Sequence, residues 1–145
     1  MKVLTVRQPW ASLIMAGVKV IENRSWPIRQ FGRLGIHAAT KPEGKSWDAI
    51  LKDLGLSLGP GRTLTVCGRS ASLPAWEELP LGSILGSVEV YDCRQEEDLG
   101  DEWLRDPFVC GRWCWLLRNP RPLAKPHRCT GALSPWEPPK RLALA

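Results

Sequence analysis

Gly17-Val18-Lys19-Val20-Ile21-Glu22-Asn23-Arg24 is the stretch on which the reading of this chain turns. Its glycine stands where a helix would stop, since glycine takes the left-handed conformation of a C′ residue at little cost. The residues after it are rich in β-formers, and Val20 to Trp26 reads as a strand. In a strand side chains alternate between faces, so Glu22 and Arg24 point the same way. Lys19 falls just past the helix end, where the helix dipole favours a cation by about 0.3–1 kcal/mol.

Upstream, residues 2–7 form a short β pattern, and Pro9 supplies a first helical position that needs no N–H. Trp10, Leu13 and Ile14 recur at i, i+3 and i+4, so residues 9–16 read as a short amphipathic helix with Trp10 in the core. Downstream, Arg33 to Ala39 reads as a strand. Trp47, Ile50, Leu51 and Leu54 place a second helix over 44–54. Residues 55–80 are rich in Gly, Pro and Ser without clear periodicity, which predicts a functional lid or partly ordered loop. Ser83 to Cys93 is the longest strand pattern, with Gly86 a candidate bulge. A helical turn is expected around Trp103 and Leu104. Arg112 to Arg118 reads as a central strand, ended by Asn119-Pro120-Arg121-Pro122 because proline cannot donate into a ladder. Trp113 and Trp115 share a face of it and should pack a barrel. Leu133 and Trp136 read as anchors for a Pro-rich tail. Together these elements suggest one domain over 1–145, a closed or nearly closed barrel with helical decoration.

Charge is segregated along the chain. Residues 1–45 hold eight Lys/Arg against two Asp/Glu, residues 46–107 five against twelve, and residues 108–145 seven against one. If the two basic ends meet in space they make a face suited to a phosphate-bearing partner. No window has the ~18 apolar residues of a membrane span, and no apolar segment of signal-peptide length precedes Arg7 and Pro9. A cytoplasmic location is therefore expected, and no membrane partner. Arginine outnumbers lysine 13 to 7, which fits a GC-rich or thermophilic source. The five cysteines are odd in number and include no C-x-x-C pair. Cys110, Cys114, His127 and Cys129 are ligand types for zinc, but the preferred reading is of small buried hydrophobes, with no metal and no cofactor. Gly-rich phosphate loops, zinc-hydrolase motifs and dinucleotide fingerprints are absent from the sequence.

The opening octapeptide fits G-x-K-x-x-E-x-R, and the chain resembles the ASCH family on this and its surroundings. Arg7-Gln8-Pro9-Trp10-Ala11-Ser12-Leu13-Ile14 leads in, Arg24-Ser25-Trp26-Pro27 follows, and Gly32-Arg33-Leu34-Gly35-Ile36-His37-Ala38 comes next. Gly82–Val88 and Gly111 to Pro122 resemble later strands of that family, so the similarity covers most of residues 3–138. The resemblance implies an α+β, mainly β fold: a PUA-like (ASCH) β-barrel decorated by short α-helices, with a cleft floored by the signature. It implies a partner that is single-stranded RNA or a modified nucleoside or nucleotide. Arg7, Lys19, Glu22, Arg24, Trp26 and His37 are the expected ligand-binding residues.

An enzyme is the alternative: a ribonuclease, or an amidohydrolase on acylated cytidine, with Lys19 and Glu22 as its acid/base pair. In such amidohydrolases a threonine nucleophile occupies the position of Glu22, so this chain departs from that pattern. A second carboxylate would come from Glu89, Glu96, Glu97 or Glu102. Two further residues carry two readings each. Trp26 is either a platform for stacking a base or a lid on the barrel. His37 is either a general acid/base or a satisfied structural residue. As exposed strand charges, the signature residues would contribute under ~1 kcal/mol each to folding.

Overall fold

Helix α1 (Trp10–Met15) is only 6 residues long, and both its ends are secured by its own neighbours. Gln8 folds its amide over the first turn, accepting from Ser12 N at 3.0 Å and donating to Ser12 Oγ at 2.7 Å. At the other end Gly17, at φ 77°, donates to Ile14 O, and Val18 N donates to Leu13 O at 3.1 Å. That pair of bonds is a Schellman stop, and it aims the chain directly into the signature strand.

The computed structural model describes residues 1–133 and 135–144. Its strands are β1 (Val3–Val6), β2 (Ile21–Arg24), β3 (Gly32–Ala38), β4 (Thr63–Val66), β5 (Arg69–Ser72), β6 (Ser83–Gln95) and β7 (Trp113–Arg128), with α2 at Trp47–Asp53. The fold is α+β and mainly β. Five strands form one mixed sheet in the order β1-β3-β6-β7-β2, parallel between β1 and β3 and antiparallel elsewhere. Among the described residues no ladder joins the edge strands β1 and β2. A side chain spans the gap instead: Arg24 Nη2 on β2 donates to Thr5 O on β1 at 3.0 Å.

One face of α1 fills the main core with Ile14, against Leu4, Val6, Ile36, Val88, Val90 and Trp115. Its other face places Leu13 in a second core with Leu51 of α2, Leu64 and Val66 of β4, and Phe108. Trp10 packs against both. At roughly 25 cal/mol per Å² of apolar area, these two clusters supply the main driving force for folding.

Two expectations fail here. Residues 55–80 are no loose lid: they contain the β4–β5 hairpin, whose register runs from Thr63↔Ser72 to Val66↔Arg69. Strands of 4 residues are too short to leave a clear period, and Cys67 and Gly68 turn the hairpin at positive φ. Strand β7 also runs on through Asn119, Pro120 and Pro122 to Arg128. Its partner β2 pairs only up to Leu116, so beyond that point β7 is an edge strand on one side. An edge nitrogen without a ladder partner is where proline is tolerated. The register with β6 shifts three times, one shift falling at Gly86, the expected bulge.

In the tail, Trp136 is an anchor, its backbone exchanging bonds of 2.7 and 2.9 Å with Val3. Leu133 is not; it is fully exposed. The expected turn near Trp103 is a 3-10 turn over Asp101–Trp103.

Candidate functional site

The three signature charges form one network. Lys19 Nζ donates to Glu22 Oε1 at 3.0 Å and to the Ile21 carbonyl. Arg24 Nε donates to Glu22 Oε2 at 2.9 Å, with Nη2 2.8 Å from the same oxygen. Lys19 and Glu22 are 5% and 7% exposed. Burial alone would push the Glu22 carboxyl up, but the charges of Lys19 and Arg24 and their hydrogen bonds leave it below the usual carboxylate value. The expectation of exposed, weakly contributing strand charges is therefore corrected: this is a desolvated ion-pair triad, costly to break.

The triad floors a cleft of about 820 Å³. Arg7, Thr40 and Lys41 line it with Lys19, Glu22 and Arg24. Glu43 and Asp53 also line it, whereas Glu89, Glu96, Glu97 and Glu102 do not. Glu43 Oε2 accepts from Trp10 Nε1 at 2.9 Å, and Oε1 makes no hydrogen bond among the described residues. Glu43 lies in a non-periodic turn before α2, where local pattern carries little signal. Glu89 sits elsewhere, bound by Arg118 at 2.9 Å and Asn119 at 2.9 Å, and these bonds hold its carboxyl at about 2.

Pro107, Phe108 and Cys110 line one wall of the cleft, and Asn23 of the signature holds that segment. Asn23 Nδ2 donates to Phe108 O at 2.6 Å and Oδ1 accepts from Cys110 N at 3.1 Å. Arg69 on β5 buttresses the same wall, donating to Val18 O at 2.9 Å and to the buried Asp106 at 2.7 Å. The hairpin that sequence suggested as a lid thus supports the cleft from behind.

A second lobe of about 620 Å³ adjoins the first and shares Thr5, Ala39, Thr40, Ala132 and Leu133 with it. His37 lies at its base, 1% exposed. The indole N–H of Trp136 donates to Thr5 Oγ1 at 3.2 Å, and the same hydroxyl is hydrogen-bonded to His37 Nδ1 at 3.2 Å. His37 Nε2 then donates to Cys129 O at 2.7 Å. Both ring nitrogens are occupied within the fold. Trp26 lines neither lobe; it packs edge-on to Trp115 at 4.8 Å, and Trp115 Nε1 donates to its carbonyl at 3.2 Å. Among the described residues no group of three His, Cys, Asp or Glu is placed to hold a metal. Cys110 and Cys114 lie by Asn23, whereas Cys129 lies by His37.

A small mixed-sheet domain with a cleft of mixed charge floored by a buried Lys-Glu-Arg network defines the class of protein. The ASCH domain model matches residues 4–126, and the chain belongs to the ASCH family. It is 28% identical over 141 residues to Activating signal cointegrator 1 of Homo sapiens, covering 92% of this chain and 22% of that protein. To the Mus musculus protein of the same name it is 31% identical over 100 residues, covering 69% of this chain and 16% of that protein. The chain thus spans about a fifth of the curated relatives it matches. Among solved structures it is similar to a point mutant of ZmASCH from Zymomonas mobilis, at 16% identity and a TM-score of 0.45, over 88% of this chain and 74% of that one. No helix among the described residues is long and apolar enough to cross a membrane.

Proposed function

We propose that this domain binds single-stranded RNA or a modified nucleotide in the cleft floored by Lys19, Glu22 and Arg24. The observation that carries the reading is the donor pattern of that floor. Lys19 spends two of its three N–H donors within the fold, and Arg24 Nη1 makes no hydrogen bond among the described residues. Two cations on one carboxylate leave a net positive floor, and Arg7 and Lys41 add to it from the cleft lining. Such a surface suits the carbonyl and phosphate oxygens of a nucleotide. Across the cleft Glu43 Oε1 supplies an acceptor for a base amino group. A splayed single-stranded base fits a compact cleft of this kind better than a helical groove does.

The test is the affinity for a labelled ten-nucleotide single-stranded RNA across a salt series. Log affinity should fall with log salt by about 0.7 for each phosphate contact. Arg7→Gln and Lys41→Gln should each weaken binding and flatten that slope. Failure to bind at low salt would remove RNA from consideration.

The hydrolase alternative rests on Glu43 rather than Glu22. Glu22 is a poor base, because its carboxylate is saturated by two cations and its pKa is lowered. Glu43 has a free oxygen in the same cleft as Lys19 and Thr40. Turnover of acylated cytidine or labelled RNA that is lost in Glu43→Gln would establish this second reading.

A further inference from the structure

The two lobes differ in charge. The first mixes Arg7, Lys19, Arg24 and Lys41 with Glu22, Glu43 and Asp53, the donor and acceptor mixture that reads a nucleobase. The second contains no carboxylate in its lining. Its polar groups are the hydroxyl residues Thr5, Thr40 and Thr130, the internally satisfied His37, and Arg128.

Arg128 is the last residue of β7 and lies opposite Ser83 in the ladder with β6. Its side chain is exposed and makes no hydrogen bond or ion pair among the described residues. By contrast Arg118 on the same strand is bound to Glu89 at 2.9 Å and stacks on Tyr91 at 4.5 Å. A planar guanidinium that nothing among the described residues neutralises, in a lobe with three threonines and no acid, is an anion subsite in type and favours a bidentate phosphate.

The two lobes meet at Thr5, Ala39, Thr40, Ala132 and Leu133. Gly131 packs so closely over Thr5 and His37 that a Cβ there would come within 2.5 Å of Thr5 Oγ1 and 2.6 Å of His37 Cε1. The backbone there lies close against both side chains, and Thr40 and Ala132 belong to the linings of both lobes. Each lobe alone falls in the roughly 300–1,000 Å³ range that accommodates one small ligand.

We infer that the second lobe is a phosphate subsite: it takes the phosphodiester that follows a nucleoside seated in the first lobe, with Arg128 as its cation. This rests on the nucleotide reading above and deepens it, because it makes the ligand an oligonucleotide rather than a free nucleoside. The path of the strand follows as well. The base lies toward Glu43 and Lys19, and the strand leaves past Thr130 and Arg128. His37 is a supporting residue of this lobe, since neither ring nitrogen is free to meet the ligand.

The experiment compares wild type, Arg128→Gln, Arg128→Lys and, as a charge-matched control, Arg118→Gln. Each is titrated with the four ribonucleosides, their 3′- and 5′-monophosphates, and a labelled ten-nucleotide single-stranded RNA. Arg128→Gln should weaken the RNA tenfold or more and leave nucleoside affinity within twofold. Arg128→Lys should restore part of the loss, and Arg118→Gln should change neither ligand beyond twofold. If one monophosphate isomer loses affinity as the RNA does, the subsite holds and that isomer gives the strand polarity. If both monophosphates are unaffected while RNA is weakened, the subsite needs the diester. Equal loss for nucleoside and RNA, or RNA affinity unchanged in Arg128→Gln, overturns the second lobe while nucleotide binding stands. Absence of binding by wild type to every probe overturns both.

Discussion

Arg24 on β2 donates to the carbonyl of Thr5 on β1 at 3.0 Å while its Nε holds Glu22 at 2.9 Å, so one guanidinium joins the two open edges of the sheet to the cleft floor. The signature therefore fastens the fold, and in the proposed reading it also meets the ligand. A residue that both binds ligand and fastens the fold cannot be tested by loss of binding alone.

Lys19→Met and Glu22→Gln should each lower stability by about 3 kcal/mol, because removing one partner of a buried pair strands the others. Urea unfolding monitored by tryptophan fluorescence measures this. A loss below ~1 kcal/mol in both would mean that water reaches the triad and that its burial is not real in solution.

Stability should depend on acid pH through Glu22. Its folded pKa is lowered, first against burial and then by the charges of Lys19 and Arg24, so the unfolded state binds its proton more readily. The contribution is fully present above the unfolded carboxylate value of about 4.3 and disappears as pH falls through the folded value. The stability gap between wild type and Glu22→Gln should thus be widest at pH 6–7 and narrow below pH 4. Glu89, held at about 2 by Arg118 and Asn119, is common to both proteins and cancels in the difference. A gap independent of pH would contradict the assigned protonation.

Asn23→Ala should free the cleft wall without unfolding the domain. It deletes the bonds to Phe108 O and Cys110 N at 2.6 and 3.1 Å, at a cost of about 1–3 kcal/mol. Hydrogen exchange at residues 107–111 should accelerate strongly, and ligand affinity should fall severalfold. Unchanged exchange there would show that Asp106 and Arg69 hold the wall unaided.

Gly86→Ala should be among the most damaging single changes in the sheet, about 3 kcal/mol or more. Gly86 sits at φ 156°, and a Cβ would collide with the Arg121 carbonyl and approach Pro122 Cα to 2.7 Å. Backbone cannot give way as a flexible side chain can. The thermal midpoint of this variant against Gly32→Ala, whose φ of 127° also lies outside the left-handed helical region and whose Cβ meets nothing within 4 Å, separates the collision from backbone strain.

Local pattern alone specified helix α1, the signature strand and membership of the family. The Trp10, Leu13, Ile14 spacing and the Gly17 stop are local facts, and α1 ends with the Schellman bonds that glycine permits. The same-face placement of Glu22 and Arg24 follows from strand alternation and is realised in their 2.9 Å bond. The hairpin in 55–80 stayed hidden because strands of 4 residues are stabilised by packing on α2 and Phe108, contacts distant in sequence. The course of β7 through its prolines depended on where β2 stops pairing, which no local pattern encodes. Glu43 reaches the cleft because its carboxylate meets Trp10, 33 positions away, and Arg128 because the sheet carries the end of β7 beside Ser83. Periodicity reports which face a residue occupies; only the tertiary fold decides what stands opposite that face, and so which charges are buried, paired or left open to a ligand.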